Sequence, residues 1–160
     1  MNATGQSLSA YLSEKIWGPF GIEKDGFWIL SPEGLETGGI CFSACLRDFG
    51  HLGAFMLGGG RVDGKSVLPE GWLREATCRQ VESEFGSGYG YHWWIKPKDA
   101  FQAMGIMGQS LVVDPTRSLV IVIQSAWETH GSPADYQLQS AFIEAVQNFI
   151  GEGSPPAAGG

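Results

Sequence analysis

Hydroxyl side chains are plentiful in this sequence, but none has the spacing that would activate it as a nucleophile. An attacking serine needs a base within hydrogen-bond reach, which a Ser-x-x-Lys helix or a Gly-x-Ser-x-Gly turn can supply. Neither pattern occurs, and Tyr-x-Asn is also absent. The residues three positions before the five lysines are all apolar or glycine: Leu12, Gly21, Val62, Trp93 and Ile95. The sequence therefore predicts no complete pair of nucleophile and base within this chain.

A phosphate-binding pattern does occur, because Gly59–Ser66 matches G-x-x-x-x-G-K-[ST]. In a true P-loop the backbone amides cradle phosphates, and the loop leads from a strand into a helix. Here the preceding residues have a helical period, and Pro69 and Gly71 follow too soon for a helix to begin at Lys65. The pattern favours a loop or hairpin, with P-loop nucleotide binding as a minor alternative.

The histidines and cysteines do not have the spacing of a metal site. The three cysteines are an odd number, and Cys41 and Cys45 would lie one helical turn apart only if that stretch were helical. His92 falls within an aromatic strand pattern, which favours packing over ligation. We expect no metal and no cofactor.

The charge pattern excludes several classes of partner. The formal net charge is −7, and the lysines and arginines are scattered singly, so there is no basic patch for nucleic acid or an anionic membrane. No apolar run reaches the roughly 18 residues that a membrane span needs. Residues 1–15 lack the basic and apolar segments of a signal peptide. We expect a cytoplasmic protein that binds neither nucleic acid nor membrane.

Apolar periodicity predicts helices first, then an antiparallel meander, then a final helix, which indicates an α+β fold. The helices span 7–17, 43–57, 70–77 and 134–150, residues 22–40 form a loop, and the strands span 89–95, 101–107, 111–113 and 119–125. The run Leu119–Ser125 is apolar without alternation, which predicts a central strand covered on both faces. Gly50 and Gly53 interrupt a helical pattern, where glycine costs about 1 kcal/mol relative to alanine, so they suggest close packing.

Length and composition indicate one folded unit and a tail. The chain has 160 residues, of which 43% are hydrophobic and 12% aromatic, and such a chain is too apolar to remain disordered. The last ten residues are rich in glycine, proline and alanine. We therefore expect one domain over 1–150 and a disordered tail over 151–160.

Four stretches of the chain occur in the order in which a known family places them. They are Thr4–Ile22, the segment from Gly38 to Phe49 that contains Ser43-Ala44 and Arg47-Asp48, Val62–Pro69, and Gly105–Val122. Together they resemble the C-terminal half of serine β-lactamase-related hydrolases, of the class C lactamase and esterase type, and above all the 6-aminohexanoate-dimer hydrolases. The resemblance implies the C-terminal part of a β-lactamase/transpeptidase-like fold, with an antiparallel sheet flanked by helices.

The resemblance also implies a mechanism, in which a serine attacks an amide or ester carbonyl and an acyl-enzyme forms. The Ser-x-x-Lys and Tyr-x-Asn elements would lie before Met1. The third family element, Lys-Thr-Gly or His-x-Gly, corresponds to Ala103-Met104-Gly105. The backbone N–H of Ile106 would then donate to the oxyanion hole, a role that requires a well-placed N–H rather than a particular side chain.

Four further residues are expected to contact substrate. Gly105 and Gly108 would let the strand approach the substrate closely. Ser43 matches a polar position on the cleft side of the family, and its alternative is the N-cap of the helix that follows. Trp93 would wall the cleft, since alternation along a strand lets only one of Trp93 and Trp94 do so.

The sequence thus predicts a C-terminal fragment of a serine hydrolase for small linear amides or esters, inactive without the rest of its fold. The alternative is a non-catalytic binding or interaction module derived from the same fold. An incomplete sheet exposes unpaired backbone groups, so self-association through sheet edges is expected as well.

Overall fold

The computed structural model describes residues 4–83 and 87–153 and confirms the α+β fold. The helices are α1 Leu8–Leu12, which continues as a π-helical turn over Ser13–Trp17, α2 Leu46–Leu57, α3 Trp72–Ala76 and α4 Pro133–Gly153. The strands are β1 Phe27–Trp28, β2 Phe42–Ser43, β3 Arg61–Val62, β4 Lys65–Ser66, β5 Gly88–Tyr89, β6 Trp94–Ile95, β7 Phe101–Met104, β8 Ser110–Asp114 and β9 Leu119–Ile123. No helix in the described ranges is long and apolar enough to cross a membrane.

The centre of the fold is a five-stranded antiparallel sheet in the order β5-β6-β7-β8-β9. One face packs against α2, where Phe55 and Met56 join Phe101 and Val113 in a buried cluster. The other face packs against α4, whose Ile143 meets Val112 and Ile121. Because neighbouring residues of a strand point to opposite faces, the continuous apolar run of β8 serves both layers.

The N-terminal elements differ in detail from the prediction. Residues 22–40 are not all loop, because β1 pairs with β2 in a two-stranded ribbon. Helix α2 begins at Leu46 with Cys45 as its N-cap, so Ser43 is a strand residue and its alternative role as the N-cap is wrong. The 7–17 helix is confirmed, and the Ser7 hydroxyl accepts from the Ala10 N–H at 3.1 Å.

The phosphate-loop match at Gly59–Ser66 is a β-hairpin, as the sequence favoured. β3 and β4 pair with Val62 opposite Lys65, and the two-residue turn Asp63-Gly64 has φ of 48° and 75°. Two successive positive φ angles are typical of the tight hairpin turn that Asp-Gly favours. Lys65 and Ser66 therefore lie in a strand and not at a helix N-terminus.

Three predicted elements have different limits. The predicted strand 89–95 is two strands, because the Gly90 N–H donates to the Trp93 carbonyl at 2.8 Å and closes a hairpin. The predicted strand 101–107 ends at Met104. Helix α4 extends to Gly153, three residues beyond its predicted end, and residues 154–160 of the predicted tail lie outside the described ranges.

The strand β9 is covered by helices on both faces, as predicted, but it is not central. Among the described residues it pairs with β8 alone, and it forms one edge of the described sheet. The predicted apolar face of α4 is also only partly buried, since Leu138, Phe142 and Phe149 are 74%, 55% and 77% exposed. No further strand of the described residues lies along the free edge of β9.

The two glycines of α2 have opposite environments, although the sequence suggested close packing for both. A Cβ on Gly53 would lie 2.5 Å from Val120 Cγ1 and 2.8 Å from Leu111 Cδ1, whereas a Cβ on Gly50 would meet nothing within 4 Å. Close packing is confirmed at Gly53 alone, where the missing side chain lets α2 approach the sheet.

This difference predicts effects of opposite sign. Gly53→Ala should lower the free energy of unfolding by about 1–3 kcal/mol because it overpacks the core. Gly50→Ala should raise it by about 0.5–1 kcal/mol through helix propensity. Urea unfolding of the two variants measures both values, and changes of the same sign in both would contradict this account of α2 packing.

Candidate active site

Two residues of the predicted third family element, Ala103 and Met104, end strand β7, and its last residue, Gly105, begins the turn to β8. The Gly105 N–H donates to the Gln109 carbonyl at 2.8 Å, and the Gly108 N–H donates to the Gly105 carbonyl at 3.2 Å. Ile106 and Met107 are therefore the two central residues of a β-turn. Ile106 is 66% exposed, and its N–H donates no hydrogen bond to any described residue. An exposed turn thus presents a free backbone donor at Ile106.

The side chain of Gln109 braces this turn from within. Its Oε1 accepts from the Met107 N–H at 3.2 Å, and its Nε2 donates to the Ser125 carbonyl just beyond β9 at 3.0 Å. A Cβ on Gly105 would lie 2.3 Å from this Oε1, so a side chain at position 105 would displace the brace. Position 105 is therefore glycine because the Gln109 amide occupies the space that a side chain there would need.

Trp127 and Gln139 hold the turn from outside. The backbone N–H of Trp127 donates to the Met107 carbonyl at 3.1 Å. The side chain of Gln139, on α4, donates through Nε2 to the Gly108 carbonyl at 2.7 Å. Gly108 has φ of 85°, and a Cβ there would lie 2.3 Å from Trp127 Cε2. The indole ring therefore explains why position 108 is glycine, whereas the sequence had attributed this glycine to contact with substrate.

Ser43 lies on the outer face of the β1–β2 ribbon. The inner face carries Trp28 and Phe42, whose rings are 4.5 Å apart and which pair directly across the ribbon. Alternation then places Ser43 on the opposite, outer face with its partner Phe27, and the Phe27 side chain is 62% exposed. Ser43 is thus half-buried on an open surface and available to a ligand.

A hydrogen-bond chain connects the ribbon to the turn. The carbonyl of Ala44, next to Ser43, accepts from Gln124 Nε2 at 2.9 Å. Gln124 precedes Ser125, whose carbonyl accepts from Gln109. The structure therefore brings the Ser43 segment and the Gly105–Gln109 turn to the same end of the sheet, as the candidate site requires.

Trp93 is not at this site. Its ring packs edge-on against Phe101 with centroids 4.9 Å apart, and it joins the cluster beneath α2. Trp94, on the next position, packs against Tyr89 at 4.6 Å. The structure assigns Trp93 to the core rather than to a cleft wall, because the hairpin at Gly90–Trp93 breaks the strand from which its direction had been predicted.

A cysteine, an aspartate and a histidine come together on α2, which the sequence analysis did not anticipate. Cys45 Sγ lies 2.9 Å from Asp48 Oδ2, and His51 Nδ1 lies 3.9 Å from Asp48 Oδ1. An activated thiol needs the imidazole between itself and the carboxylate, whereas here the carboxylate stands in the middle. The spacing i, i+3, i+6 brings these residues to one helix face, but their order does not create a nucleophile.

Neither the turn nor the ribbon is accompanied by a metal-ligand cluster. Within residues 4–83 and 87–153, no group of three or more His, Cys, Asp or Glu side chains is placed to hold a metal ion.

The residues that the sequence did not identify, Gln109, Trp127 and Gln139, act by bracing the turn. Gln139 follows Gly108 by 31 residues, so no local motif could reveal it.

Comparison with known proteins supports the resemblance. The family model described as Beta-lactamase matches residues 2–144. The 6-aminohexanoate-dimer hydrolase of Paenarthrobacter ureafaciens is 30% identical over 92% of this chain and 41% of its own length. A solved structure from Bacillus anthracis with the provisional name 6-aminohexanoate-dimer hydrolase has a TM-score of 0.74 and 26% identity, over 91% of this chain and 39% of that one.

A more distant structure shares the fold alone. A penicillin-binding protein homologue from Caulobacter crescentus has a TM-score of 0.59 and 15% identity, over 87% of this chain and 53% of its own. The chain thus spans about two fifths of the length of the curated relative that it matches. Since the family model matches residues 2–144, which is most of the chain, this chain belongs to the Beta-lactamase family.

Proposed function

We propose that this chain is the C-terminal part of a serine hydrolase that cleaves small linear amides or esters, and that it is inactive without the rest of the fold. Its contribution is the oxyanion side of the active site, namely the Gly105–Gln109 turn. The name of the Paenarthrobacter relative refers to a dimer of 6-aminohexanoate, which is such a linear amide. We take that substrate class as the first to test.

The observation that carries the proposal is the free N–H of Ile106 in a turn that is held rigid on both sides. Oxyanion stabilisation depends on donors that are already oriented before the charge develops. Gln109 fixes the turn from inside, and Trp127 and Gln139 fix it from outside, while the Ile106 N–H keeps no internal acceptor. A turn that is fixed by these hydrogen bonds and carries an unused donor at Ile106 is suited to oxyanion stabilisation.

The share of the relative that this chain covers supports the second half of the proposal, since the match spans 41% of the Paenarthrobacter protein. The sequence contains neither Ser-x-x-Lys nor Tyr-x-Asn, the patterns that supply the nucleophile and its base in the resemblance. Large apolar side chains beside Ser43 are also open to solvent, among them Phe27, Ile29 and Ile40 at 62%, 62% and 64% exposure. Apolar patches on this scale mark surfaces that a partner normally covers.

The chemistry divides between the two parts. As the family resemblance implies, a serine in the part outside this chain would give its proton to the neighbouring base and bond to the carbonyl carbon. The carbonyl oxygen becomes negative and would accept from the Ile106 N–H. When the amine or alcohol departs with a proton, the acyl-enzyme remains, and water then attacks it and releases the acid. No cofactor is required by this sequence of steps.

Reconstitution tests the proposal. The purified chain is mixed with the part of the Paenarthrobacter relative that the match leaves uncovered, and hydrolysis of a nitrophenyl ester and of 6-aminohexanoate dimer is measured. The chain alone should give no turnover, and the mixture should. Ile106→Pro removes the N–H and should keep the turn, because proline suits the first central position of a β-turn. It should reduce kcat by about 10²–10³-fold.

Ile106→Ala is the matched control, since it keeps the N–H and shortens the side chain, and its kcat should stay near that of the parent. Robust turnover by the unmixed chain would refute its dependence on a missing part. Equal activity of Ile106→Pro and Ile106→Ala in the mixture would refute the oxyanion role. If the parts bind without turnover, the non-catalytic module is the better description.

A further inference from the structure

An open cleft of about 860 Å³ lies at the end of the sheet opposite the Gly105–Gln109 turn. Its walls come from the β3–β4 hairpin, from α3 with the residues just before it, and from the turn between β6 and β7. Phe101, which lines the cleft, begins β7, and Met104 ends that strand before the Gly105 turn. At about 3.4 Å per residue, about 10 Å of strand separates the two places. The cleft is therefore not part of the candidate oxyanion site.

The floor of this cleft is apolar. Met56 and Phe101 are only 7% and 4% exposed, and both belong to the buried cluster between α2 and the sheet. Leu68 and Leu73 pack against the same cluster from the hairpin and from α3. The volume lies within the range of about 300–1,000 Å³ that small-molecule sites occupy, and such sites combine an apolar lining with a few polar groups. The floor is suited to the hydrocarbon part of a ligand.

Two side chains of opposite charge line different walls without a protein partner. Arg74 lies on α3, and Asp99 lies on the turn between β6 and β7. Within the described ranges neither side chain makes an ion pair or a hydrogen bond. The arginines that pair with a carboxylate are Arg47, Arg79 and Arg117. The charges of Arg74 and Asp99 are therefore available to a bound molecule.

The other charged residues of the lining keep the two signs in balance. Arg61 and Glu70 add one charge of each sign, and Arg61 already donates to the Gly64 carbonyl at 2.9 Å. The lining thus carries two cationic and two anionic side chains. A ligand with charges of both signs matches such a lining better than a simple anion or cation does.

The turn that carries Asp99 is held in place before any ligand arrives. The Lys96 N–H donates to the Ala100 carbonyl at 2.8 Å and closes the turn. Thr116 Oγ1 donates to the Lys98 carbonyl at 2.9 Å and attaches the turn to the end of β8. A binding group whose backbone is already fixed loses less conformational entropy on binding.

From these observations we propose that the cleft binds a linear zwitterion, with its carboxylate on Arg74, its ammonium group on Asp99 and its hydrocarbon chain across Met56 and Phe101. A guanidinium can donate two parallel hydrogen bonds to a carboxylate, and a carboxylate accepts from an ammonium group. The unit named in the Paenarthrobacter relative, 6-aminohexanoate, belongs to this class. Hydrolysis of the amide in its dimer would release two such molecules, so the choice of this ligand rests on the proposed function.

An NMR titration of the ¹⁵N-labelled chain measures both the affinity and the place of binding. The ligands are 6-aminohexanoate, hexanoate, which lacks the ammonium group, and hexylamine, which lacks the carboxylate. With 6-aminohexanoate, the amides of Gly71, Arg74 and Asp99 should shift and saturate, whereas those of Gly105–Gln109 should not move. Each single-headed analogue should have a Kd about three- to fivefold higher, the effect of losing one partly exposed charge pair.

Charge-removing variants assign each end of the ligand. Arg74→Gln should raise the Kd of 6-aminohexanoate about three- to fivefold and leave that of hexylamine unchanged. Asp99→Asn should do the same for 6-aminohexanoate and leave that of hexanoate unchanged. Arg79→Gln and Asp25→Asn are the matched controls, since neither residue lines the cleft, and both should bind as the parent does. Amide spectra that otherwise match the parent show that each variant is folded.

The outcomes also separate this inference from the proposed function. Equal affinities for hexanoate and 6-aminohexanoate, shifts confined to Gly105–Gln109, or no saturable shift would each overturn the zwitterion site. Turnover by the reconstituted mixture would leave the proposed function standing in all three cases. Charge-dependent binding in the cleft without any reconstituted turnover would refute the proposed function and support the zwitterion site. Ile106→Pro should bind 6-aminohexanoate as the parent does, and a higher Kd in that variant would overturn the separation of the two places.

Discussion

Replacing Asp114 with alanine should lower the free energy of unfolding by about 3–5 kcal/mol, the usual effect of breaking a buried ion pair. Asp114 is fully buried and lies 2.9 Å from Arg117 Nη1, whose side chain is 17% exposed. Its other partners are the Arg117 N–H at 3.1 Å and Gln147 Nε2 at 2.7 Å. The substitution therefore leaves a largely buried guanidinium and an amide without their acceptor.

The effect should be large because Asp114 joins three parts of the fold. It ends β8 and caps the short helical turn Pro115–Arg117. Arg117 Nε also donates to the Gln147 carbonyl at 2.9 Å, so the same cluster attaches α4 to the sheet. Loss of the carboxylate loosens the helix that covers one sheet face and that supplies Gln139 to the turn.

Urea unfolding followed by fluorescence measures this change. Asp25→Ala is the control, because Asp25 is exposed and makes no ion pair or hydrogen bond to the described residues; it should shift stability by no more than about 0.5 kcal/mol. A loss of similar size in both variants would show that the Asp114 cluster contributes little. Asp114→Asn, which keeps the shape and one acceptor oxygen, should fall between the two.

Replacing Asp48 with alanine should cost about 2–4 kcal/mol at neutral pH, since hydrogen bonds to a charged group contribute about 1.5–3 kcal/mol each. The buried carboxylate accepts from the backbone N–H groups of Glu23 and Lys24 at 2.9 and 3.2 Å. It also accepts from the Cys45 thiol at 2.9 Å. These bonds attach the loop after α1 to the first turn of α2, so alanine frees both segments at once.

The same carboxylate makes stability depend on pH. Burial alone raises the pKa of Asp48, but the hydrogen bonds from Cys45, Glu23 and Lys24 outweigh it, and its pKa in the folded chain lies below the ordinary value. A lowered folded pKa means that the stabilisation is present above the unfolded pKa, about 3.9. It is lost as the pH falls through the folded pKa.

Asp48→Asn provides the test, because asparagine cannot titrate. The difference in unfolding free energy between parent and Asp48→Asn should shrink as the pH falls below about 4. Asp25→Asn, the matched control, should show no such convergence. A parent-to-variant difference that stays constant down to pH 3 would contradict the assignment of this acid sensitivity to Asp48.

Much of the fold follows from local patterns. The helical periods at 7–17 and 43–57 became α1 with its π turn and α2, and Pro115 with its neighbours formed the predicted turn. Errors arose where a local pattern was cut by a turn. The aromatic run at 89–95 folds back on itself at Gly90–Trp93, which sends Trp93 into the core.

The sequence predicted only part of the candidate site. The resemblance placed Ile106 and its flanking glycines, and the structure puts them in one turn. The hydrogen bonds that stabilise this turn could not be predicted from the sequence. Gln109 donates to the Ser125 carbonyl, and Gln139 donates from α4 to the Gly108 carbonyl. Such contacts depend on how a hairpin and a helix pack together, and no spacing in the chain encodes them.

By itself, then, the sequence predicted most of the helical and extended segments, favoured a hairpin over a P-loop at Gly59–Ser66, and carried a family resemblance through Gly105–Val122. Hydrophobic periodicity and turn chemistry act over a few residues, so they can be recognised in the linear chain. Only the tertiary structure decided that β9 is an edge and that Gly53, unlike Gly50, admits no side chain. Edges and close contacts are properties of neighbours in space, and those neighbours come from distant positions in the chain.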